Sequence, residues 1–147
     1  MQAQANFYYR FCPERHPYPT QRFFGETERL FGVLEARLTN REYIAGPWRG
    51  KYSIADIAVW PFINSSSVTG IDLAKFPSIL KWWERIEQRP AVMSGMMVPT
   101  GQEFPYGYKT VLERAAEDPQ GTDQSERPLR DALVMAQQEF EYVYRSP

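Results

Sequence analysis

Residues 43–64 read YIAGPWRGKYSIADIAVWPFIN, and this stretch decides the fold class. After a loop rich in glycine and proline, the Ser53 hydroxyl can accept from a free amide of a first helical turn. Asp56, three residues later, can reach back to the Ser53 amide and complete a capping box. The residues around Trp60 are apolar nearly all round, which is typical of a buried helix. We therefore predict a central helix that Ser53 opens and that Pro61 weakens locally.

Helical spacing of apolar residues also extends outward from this stretch. Residues 20–38 form a long amphipathic pattern whose apolar stripe consists of Phe23, Leu30, Leu34 and Leu38. Further helices are predicted at 77–89, 91–97, 108–117 and 128–144, with a solvated loop at 117–127. No alternating apolar and polar run indicates a sheet, so we predict an all-α bundle of five to seven helices.

Composition sets limits on the class of protein. The chain has 147 residues, of which 43% are apolar, 15% aromatic and 24% charged, with a net charge of −1. This length suits one domain, and the aromatic content argues against disorder. The charge balance argues against a nucleic-acid partner, and no apolar run approaches the roughly 18 residues of a membrane span. Without a signal-peptide pattern at its start, the chain is expected to be cytoplasmic.

Four strings together resemble a known family. They are MQAQANFYYRF at 1–11, YPTQRFFGETERLFGVLEARL at 18–38, YIAGPWRGKYSIADIAVWPFI at 43–63 and FPSILKWWERIEQRPAV at 76–92. In this order they resemble the C-terminal helical domain of cytosolic glutathione S-transferases, in the fungal branch that includes the yeast nitrogen-regulatory prion protein. The resemblance covers residues 1–98.

This resemblance implies a domain organisation. Residues 1–98 would form the helical bundle, and residues 99–147 an extension of loop and final helix that packs on the same domain. The family's thioredoxin-like N-terminal domain, which supplies most glutathione contacts, is expected to be absent from the 147 residues. The resemblance thus implies the fold more strongly than the activity.

The resemblance also implies a function. The chain would act on an electrophilic or conjugated (polyene) small molecule in fungal secondary metabolism, with glutathione as co-substrate. Addition and loss of the glutathione thiolate would also permit cis-trans isomerisation of an olefin. The alternative is a non-catalytic module for protein–protein interaction. A homodimer through the first two helices is expected, with Phe23, Phe24 and Phe31 as the apolar surface.

In the family the first and central helices form the wall of the substrate site. The residues that this places there, for substrate or glutathione, are Gln4, Asn6, Phe7, Arg10, Phe11, Trp60 and Asn64. The guanidinium of Arg10 could hold a carboxylate. The aromatic members have the spacing of ordinary core residues, and the polar members suit a solvated face. Five aromatic residues of the extension could roof the site: Phe104, Tyr106, Tyr108, Tyr142 and Tyr144.

A metal site is not expected. Cys12, Glu14 and His16 alternate within five residues, and cysteine and histidine are zinc ligands. The chain has one cysteine and one histidine, so a tetrahedral site would need carboxylates or a second chain. No catalytic residue can be named from the sequence, because no second base lies near Cys12.

Overall fold

The computed structural model describes residues 1–98, 101 and 106–140, and these are helical without any β-strand. The all-α prediction is therefore confirmed. The helices are α1 (Gln2–Asn6, continued by a π-helical turn Phe7–Phe11), α2 (Pro17–Leu38), α3 (Ile54–Asn64), α4 (Pro77–Glu87), α5 (Pro90–Met96), α6 (Tyr108–Glu117) and α7 (Pro119–Glu139). Short 3₁₀ turns lie at Ser66–Thr69 and Leu73–Lys75. None of the described helices is long and apolar enough to span a bilayer.

The long helix α2 is the element around which the others pack. It contacts α1, α4 and α7. Its Glu35 carboxylate accepts from the backbone amides of Ser78 at 2.9 and 3.0 Å and of Ile79 at 2.9 Å. These amides belong to the first turn of α4, which has no partners for them within the helix. One side chain of α2 thus caps a neighbouring helix and fixes its position.

The capping box at the start of α3 is present as predicted. Ser53 Oγ accepts from the Ala55 amide, and Asp56 Oδ2 accepts from the Ser53 amide at 2.9 Å. Asp56 is completely buried, and its Oδ1 also accepts from the Ile44 amide at 3.0 Å and from Trp82 Nε1 at 2.9 Å. Because every donor comes from a different part of the chain, Asp56 joins the preceding loop, α3 and α4.

Helix α3 is less buried than its composition predicts. Trp60 and Ile63 are in the core, but Ile54 is 84% exposed, Ile57 54% and Phe62 56%. The neighbours α4 and the 3₁₀ turn Ser66–Thr69 pack against one side of α3, and Ile54, Ile57 and Phe62 lie outside this packed side. The predicted burial on all sides of this helix is therefore wrong for the described residues.

The buried stripe of α2 differs from the predicted one. Phe24, Phe31 and Leu38 are in the core, whereas Leu30 is 42% exposed and Phe23 stacks on Tyr8 near the surface. The core-facing side is set by α4 and α7, and it includes the small buried Thr27, whose hydroxyl donates to the Phe23 carbonyl at 2.7 Å. A stripe that includes threonine is not apparent from apolar spacing.

The predicted loop at 117–127 is helical, and this corrects both the loop and the predicted start of the last helix at 128. Helix α7 begins at Pro119, after Asp118, whose carboxylate accepts from the Gly121 amide at 2.9 Å. Proline at the first helical position needs no amide partner. The first half of α7 is polar because most of it faces solvent, so its polarity does not indicate a loop. Pro128 lies inside this helix.

We predict that Asp56 contributes more to stability than the Ser53 cap itself. Ser53→Ala should lower the free energy of unfolding by about 1 kcal/mol, the usual value of a cap. Asp56→Ala should lower it by about 3 kcal/mol or more, because it leaves several buried donors without an acceptor. Urea unfolding measures both.

The matched control is Asp72→Ala. Asp72 is exposed and caps the short turn Leu73–Lys75 through the Ala74 amide at 2.9 Å. Its loss should cost no more than about 1 kcal/mol. An Asp56→Ala effect no larger than that of Asp72→Ala would contradict the assigned role of the Asp56 network.

Candidate functional site

Arg10 is held in a fixed orientation at the end of the first helix. Its Nε donates to the Val68 carbonyl at 3.2 Å and its Nη2 to the Ser67 carbonyl at 3.3 Å. Nη1 and Nη2 donate to the two carboxylate oxygens of Glu126 on α7, at 2.9 and 3.0 Å. The guanidinium is thus anchored by backbone on one side and presents a two-pronged carboxylate site on the other.

Arg10 and Glu126 lie in a cleft of about 480 Å³, which we call the Arg10 cleft. Its walls come from the first helix, from residues 67–72, and from α6 and α7 with the residues just before α6. This volume is within the range of small-molecule sites. The charged residues that line it are Arg10, Arg114, Arg130, Asp72 and Glu126.

The back of the Arg10 cleft is shaped by a close approach of Gly70 to Tyr9. Gly70 has φ +79°, and a Cβ at this position would lie 2.6 Å from Tyr9 Cζ. Tyr9 is 2% exposed and so cannot move aside. Burial raises the pKa of the Tyr9 phenol, and the nearby Glu126 carboxylate adds to this. Tyr9 therefore stays protonated and supports the cleft as an uncharged ring.

Tyr108 gives the Arg10 cleft a second phenol. It is 9% exposed, and its ring packs edge-on against Trp83 at 5.3 Å. Burial raises its pKa, and the carboxylates of Asp72 and Glu84 raise it further. A phenol that remains protonated can donate a hydrogen bond to an anionic ligand atom.

Trp60 and Asn64 line a different and much smaller cavity, of about 40 Å³, together with Trp83 and Met96. Trp60 stacks on Trp83 and donates to its carbonyl at 3.2 Å. Asn64 Oδ1 accepts from Trp83 Nε1 at 3.1 Å and from the Tyr108 amide at 3.4 Å. A cavity of this size has no room for a tripeptide. Both residues are 4% exposed, and neither is among the described residues that line the Arg10 cleft.

The remaining predicted residues lie on the first helix outside both cavities. Gln4 is exposed, Phe7 is 47% exposed and Phe11 is 56% exposed. Asn6 accepts a hydrogen bond from the Thr69 hydroxyl. The seven predicted residues thus lie in three different places: the Arg10 cleft, the small cavity beside Trp60, and the rest of the first helix.

Two of the five predicted roof residues, Tyr106 and Tyr108, line the Arg10 cleft. Phe104, Tyr142 and Tyr144 lie outside the described residues. Within the described part of the chain, no three His, Cys, Asp or Glu side chains gather into a possible metal site. His16 Nε2 lies 3.8 Å from a Glu14 carboxylate oxygen at the surface.

Sequence reasoning missed Glu126 because it placed this residue in a loop. Two features of the sequence could have found it. Asp118 followed by Pro119 is a typical helix start, and Glu126 is in helical register with Leu129 and Leu133. A helix begun at Pro119 would place Glu126 beside the apolar stripe that packs on α2.

The comparisons with known proteins agree with this fold. Residues 19–90 match the sequence profile of the family described as glutathione S-transferase, C-terminal domain. Over these residues the bundle resembles a glutathione S-transferase C-terminal domain. The extension helices α6 and α7, and with them Glu126 and Tyr108, lie outside the matched residues of this domain.

Two curated relatives illustrate the range of proteins to which the chain is similar. The chain is 39% identical to the disulfide-bond oxidoreductase YfcG of Escherichia coli, over 66% of the chain and 44% of the relative. It is 33% identical to the glutathione S-transferase-like protein tpcF of Aspergillus fumigatus, over 64% and 46%. The chain thus spans less than half the length of these relatives.

Solved structures give the same result. A glutathione transferase homologue from Lodderomyces elongisporus, solved with two glutathione molecules per subunit, superposes with a TM-score of 0.60 at 31% identity, over 67% of this chain and 46% of that one. Ure2p in complex with glutathione superposes with a TM-score of 0.57 at 26% identity, over 63% and 44%. The predicted likeness to glutathione-binding proteins is confirmed at this level.

We predict that Gly70 is required for the packing behind the Arg10 cleft. Gly70→Ala should lower the free energy of unfolding by about 2 kcal/mol or more, from left-handed backbone strain and the clash with Tyr9. Gly32→Ala is the control, because Gly32 lies in α2 and a Cβ added there would meet no described atom within 4 Å. That substitution should raise stability by up to about 1 kcal/mol. Chemical denaturation in which both variants shift in the same direction would refute the explanation.

Proposed function

We propose that this chain is the helical part of a glutathione-using protein of the transferase type, and that the Arg10 cleft is where it holds a ligand. The observation that carries the proposal is the pre-oriented Arg10 fork inside a cleft of about 480 Å³. Glutathione has two carboxylates that such a fork can bind in a bidentate manner. The glutathione complexes of similar structures support the same co-substrate here.

The substrate that we propose is an electrophilic or conjugated small molecule, such as a polyene of fungal secondary metabolism. The fungal glutathione S-transferase-like relative tpcF supports a glutathione-using protein, and the substrate class itself follows from the resemblance. Attack by the glutathione thiolate forms a C–S bond and converts an alkene carbon pair into a single bond. If a proton then adds to the neighbouring carbon, the product is a conjugate. If the thiolate leaves after rotation, the alkene returns in the other geometry and glutathione is unchanged.

In this chemistry the residues of the chain bind and orient. Arg10 would hold a carboxylate, while Val68, Ile71 and the Tyr106 ring would contact the apolar part of the substrate. The protonated Tyr108 phenol is available as a hydrogen-bond donor to a developing thiolate or enolate. Gln4, Asn6, Phe7, Phe11, Trp60 and Asn64 remain proposed binding residues from the resemblance, without a place in the Arg10 cleft.

The second candidate function is a non-catalytic interaction module. It is favoured by the way in which Trp60 and Asn64 are fully engaged in hydrogen bonds within the core. In this second function these residues would stabilise the fold instead of binding a ligand.

Glutathione binding distinguishes the two functions. We expect the unchanged chain to bind reduced glutathione weakly, with a Kd on the order of millimolar, since one arginine provides few kcal/mol. Arg10→Lys keeps the charge but loses the bidentate fork, so it should weaken binding several-fold. Saturation-transfer NMR suits this affinity range.

Arg29→Lys is the matched control, because Arg29 pairs with Glu26 on α2 and does not line the Arg10 cleft. It should bind glutathione like the unchanged chain. Equal binding by the Arg10 and Arg29 variants would remove Arg10 from the site. Absence of binding to the unchanged chain at saturating glutathione would favour the interaction module.

A cytoplasmic homodimer is proposed as the working form, through a surface that differs from the predicted one. Phe24 and Phe31 are buried within the chain and Phe23 packs on Tyr8, so these residues do not form the predicted apolar surface. The first two helices instead expose Phe7, Phe11, Leu30 and Val33, by 47%, 56%, 42% and 54%. Apolar residues exposed on adjoining helices are typical of an interface.

Sedimentation velocity tests the homodimer. We expect the unchanged chain at micromolar concentration to sediment as a species with twice the chain mass of 17.2 kDa. Phe11→Ser should shift it toward the monomer, whereas Ile54→Ser, which removes an exposed apolar residue of α3, should not. A monomer for the unchanged chain would contradict the homodimer.

A further inference from the structure

We propose that Glu126 is a built-in competitor that shares Arg10 with the carboxylate of an anionic ligand. Glu126 thereby sets the affinity and the ligand class of the Arg10 cleft. This inference rests on the proposed function in taking glutathione as one such ligand, but its chemistry applies to any compound with an accessible carboxylate.

The geometry of Arg10 is that of a carboxylate receptor. Two hydrogen bonds to the carbonyls of Ser67 and Val68 fix the plane of the guanidinium independently of Glu126. The fork that remains is matched by the two Glu126 oxygens at 2.9 and 3.0 Å. A ligand carboxylate placed in the position of the Glu126 carboxylate would make the same two bonds.

The Arg10–Glu126 ion pair is exposed enough for a ligand carboxylate to replace that of Glu126. The Arg10 side chain is 21% exposed and the Glu126 side chain 25%, and both border the Arg10 cleft. Ion pairs that water reaches contribute little net stability. Glu126 can therefore turn toward solvent without leaving a charge buried, while Arg10 stays anchored by backbone.

The charge of the Arg10 cleft favours this exchange. Its lining holds three arginines, Arg10, Arg114 and Arg130, against the two carboxylates of Asp72 and Glu126. Arg130 also forms an ion pair with Asp123, so Arg10 is the arginine that loses its carboxylate partner when Glu126 turns away. An incoming carboxylate can then take that place beside Arg10, whereas an uncharged analogue cannot.

Helix α7 supplies Glu126 from outside the segment that matches the glutathione S-transferase C-terminal domain. It is held on α2 by the buried Leu129, Leu133 and Ala136, which follow Glu126 along the helix. These contacts do not depend on the ion pair. The position of the competing carboxylate is therefore set by apolar packing, and its substitution should leave α7 in place.

The test compares Glu126→Gln with the unchanged chain. The amide has the same shape but a weaker hold on the guanidinium, so we expect about tenfold tighter binding of reduced glutathione, equal to about 1.4 kcal/mol. Glutathione diethyl ester, which lacks both carboxylates, should bind the two proteins equally. Asp131→Asn makes the same charge change at an exposed position of α7 and should bind glutathione like the unchanged chain.

A second probe separates this inference from the proposed function. N-Benzoylglycine carries a carboxylate without a thiol, and it should also bind Glu126→Gln about tenfold more tightly. If Glu126→Gln gains affinity for N-benzoylglycine while neither the variant nor the unchanged chain binds glutathione, the carboxylate site is supported and the glutathione function is contradicted.

Three results would overturn the competition. In the first, Glu126→Gln binds glutathione and N-benzoylglycine no more tightly than the unchanged chain does. In the second, the diethyl ester gains as much affinity as glutathione. In the third, Asp131→Asn gains as much affinity as Glu126→Gln. Circular dichroism of both variants should match the unchanged chain, since the apolar contacts of α7 remain.

Discussion

Asp56 accepts hydrogen bonds from the loop before α3, from the first turn of α3 and from the indole of Trp82 on α4. A carboxylate that is completely buried is costly unless all its oxygens have partners, and these donors meet that requirement. The network sets the angle between α3 and α4. It thereby places Trp60 against Trp83 and forms the core on which α5 and α6 rest.

The Arg10 cleft is built on this core from elements far apart in the chain. The first helix supplies Arg10, the turn after α3 supplies the carbonyls that orient it, and α7 supplies the opposing carboxylate. Gly70 allows the turn to lie against the Tyr9 ring, which no residue with a side chain could do. Of the groups around the Arg10 guanidinium, the Ser67 and Val68 carbonyls therefore lie within residues 19–90, and Glu126 comes from the extension.

Much of the fold is predictable from local sequence because its signals act over a few residues. The Ser53 and Asp56 cap, the proline that begins α4 and the helix at 108–117 each depend on neighbours within one or two turns. The exposed side of α3 and the start of α7 were not predicted. The apolar composition of α3 does not show which of its sides packs against a neighbouring helix. The polar residues before Pro128 have the composition of a loop, although they form the start of α7.

The site was harder to predict than the fold. The sequence predicts that Arg10 pairs with a carboxylate of glutathione or substrate, whereas in the structure Arg10 pairs with the carboxylate of Glu126. The pairing joins residues 116 positions apart, so no local pattern contains it. The resemblance places Trp60 and Asn64 in the wall of a binding site, yet the hydrogen bonds that hold them in the core come from α4 and α6.

The most direct test of the account is where glutathione perturbs the protein in solution. In ¹⁵N-resolved NMR spectra recorded during a glutathione titration, the Nε–Hε signal of Arg10 and the amides of Gly70 and Ile71 should shift in a saturable manner. The indole signal of Trp60, in the separate small cavity, should not move. Shifts centred on Trp60 without Arg10, or no shifts at saturating glutathione, would contradict the assignment of the Arg10 cleft as the ligand site.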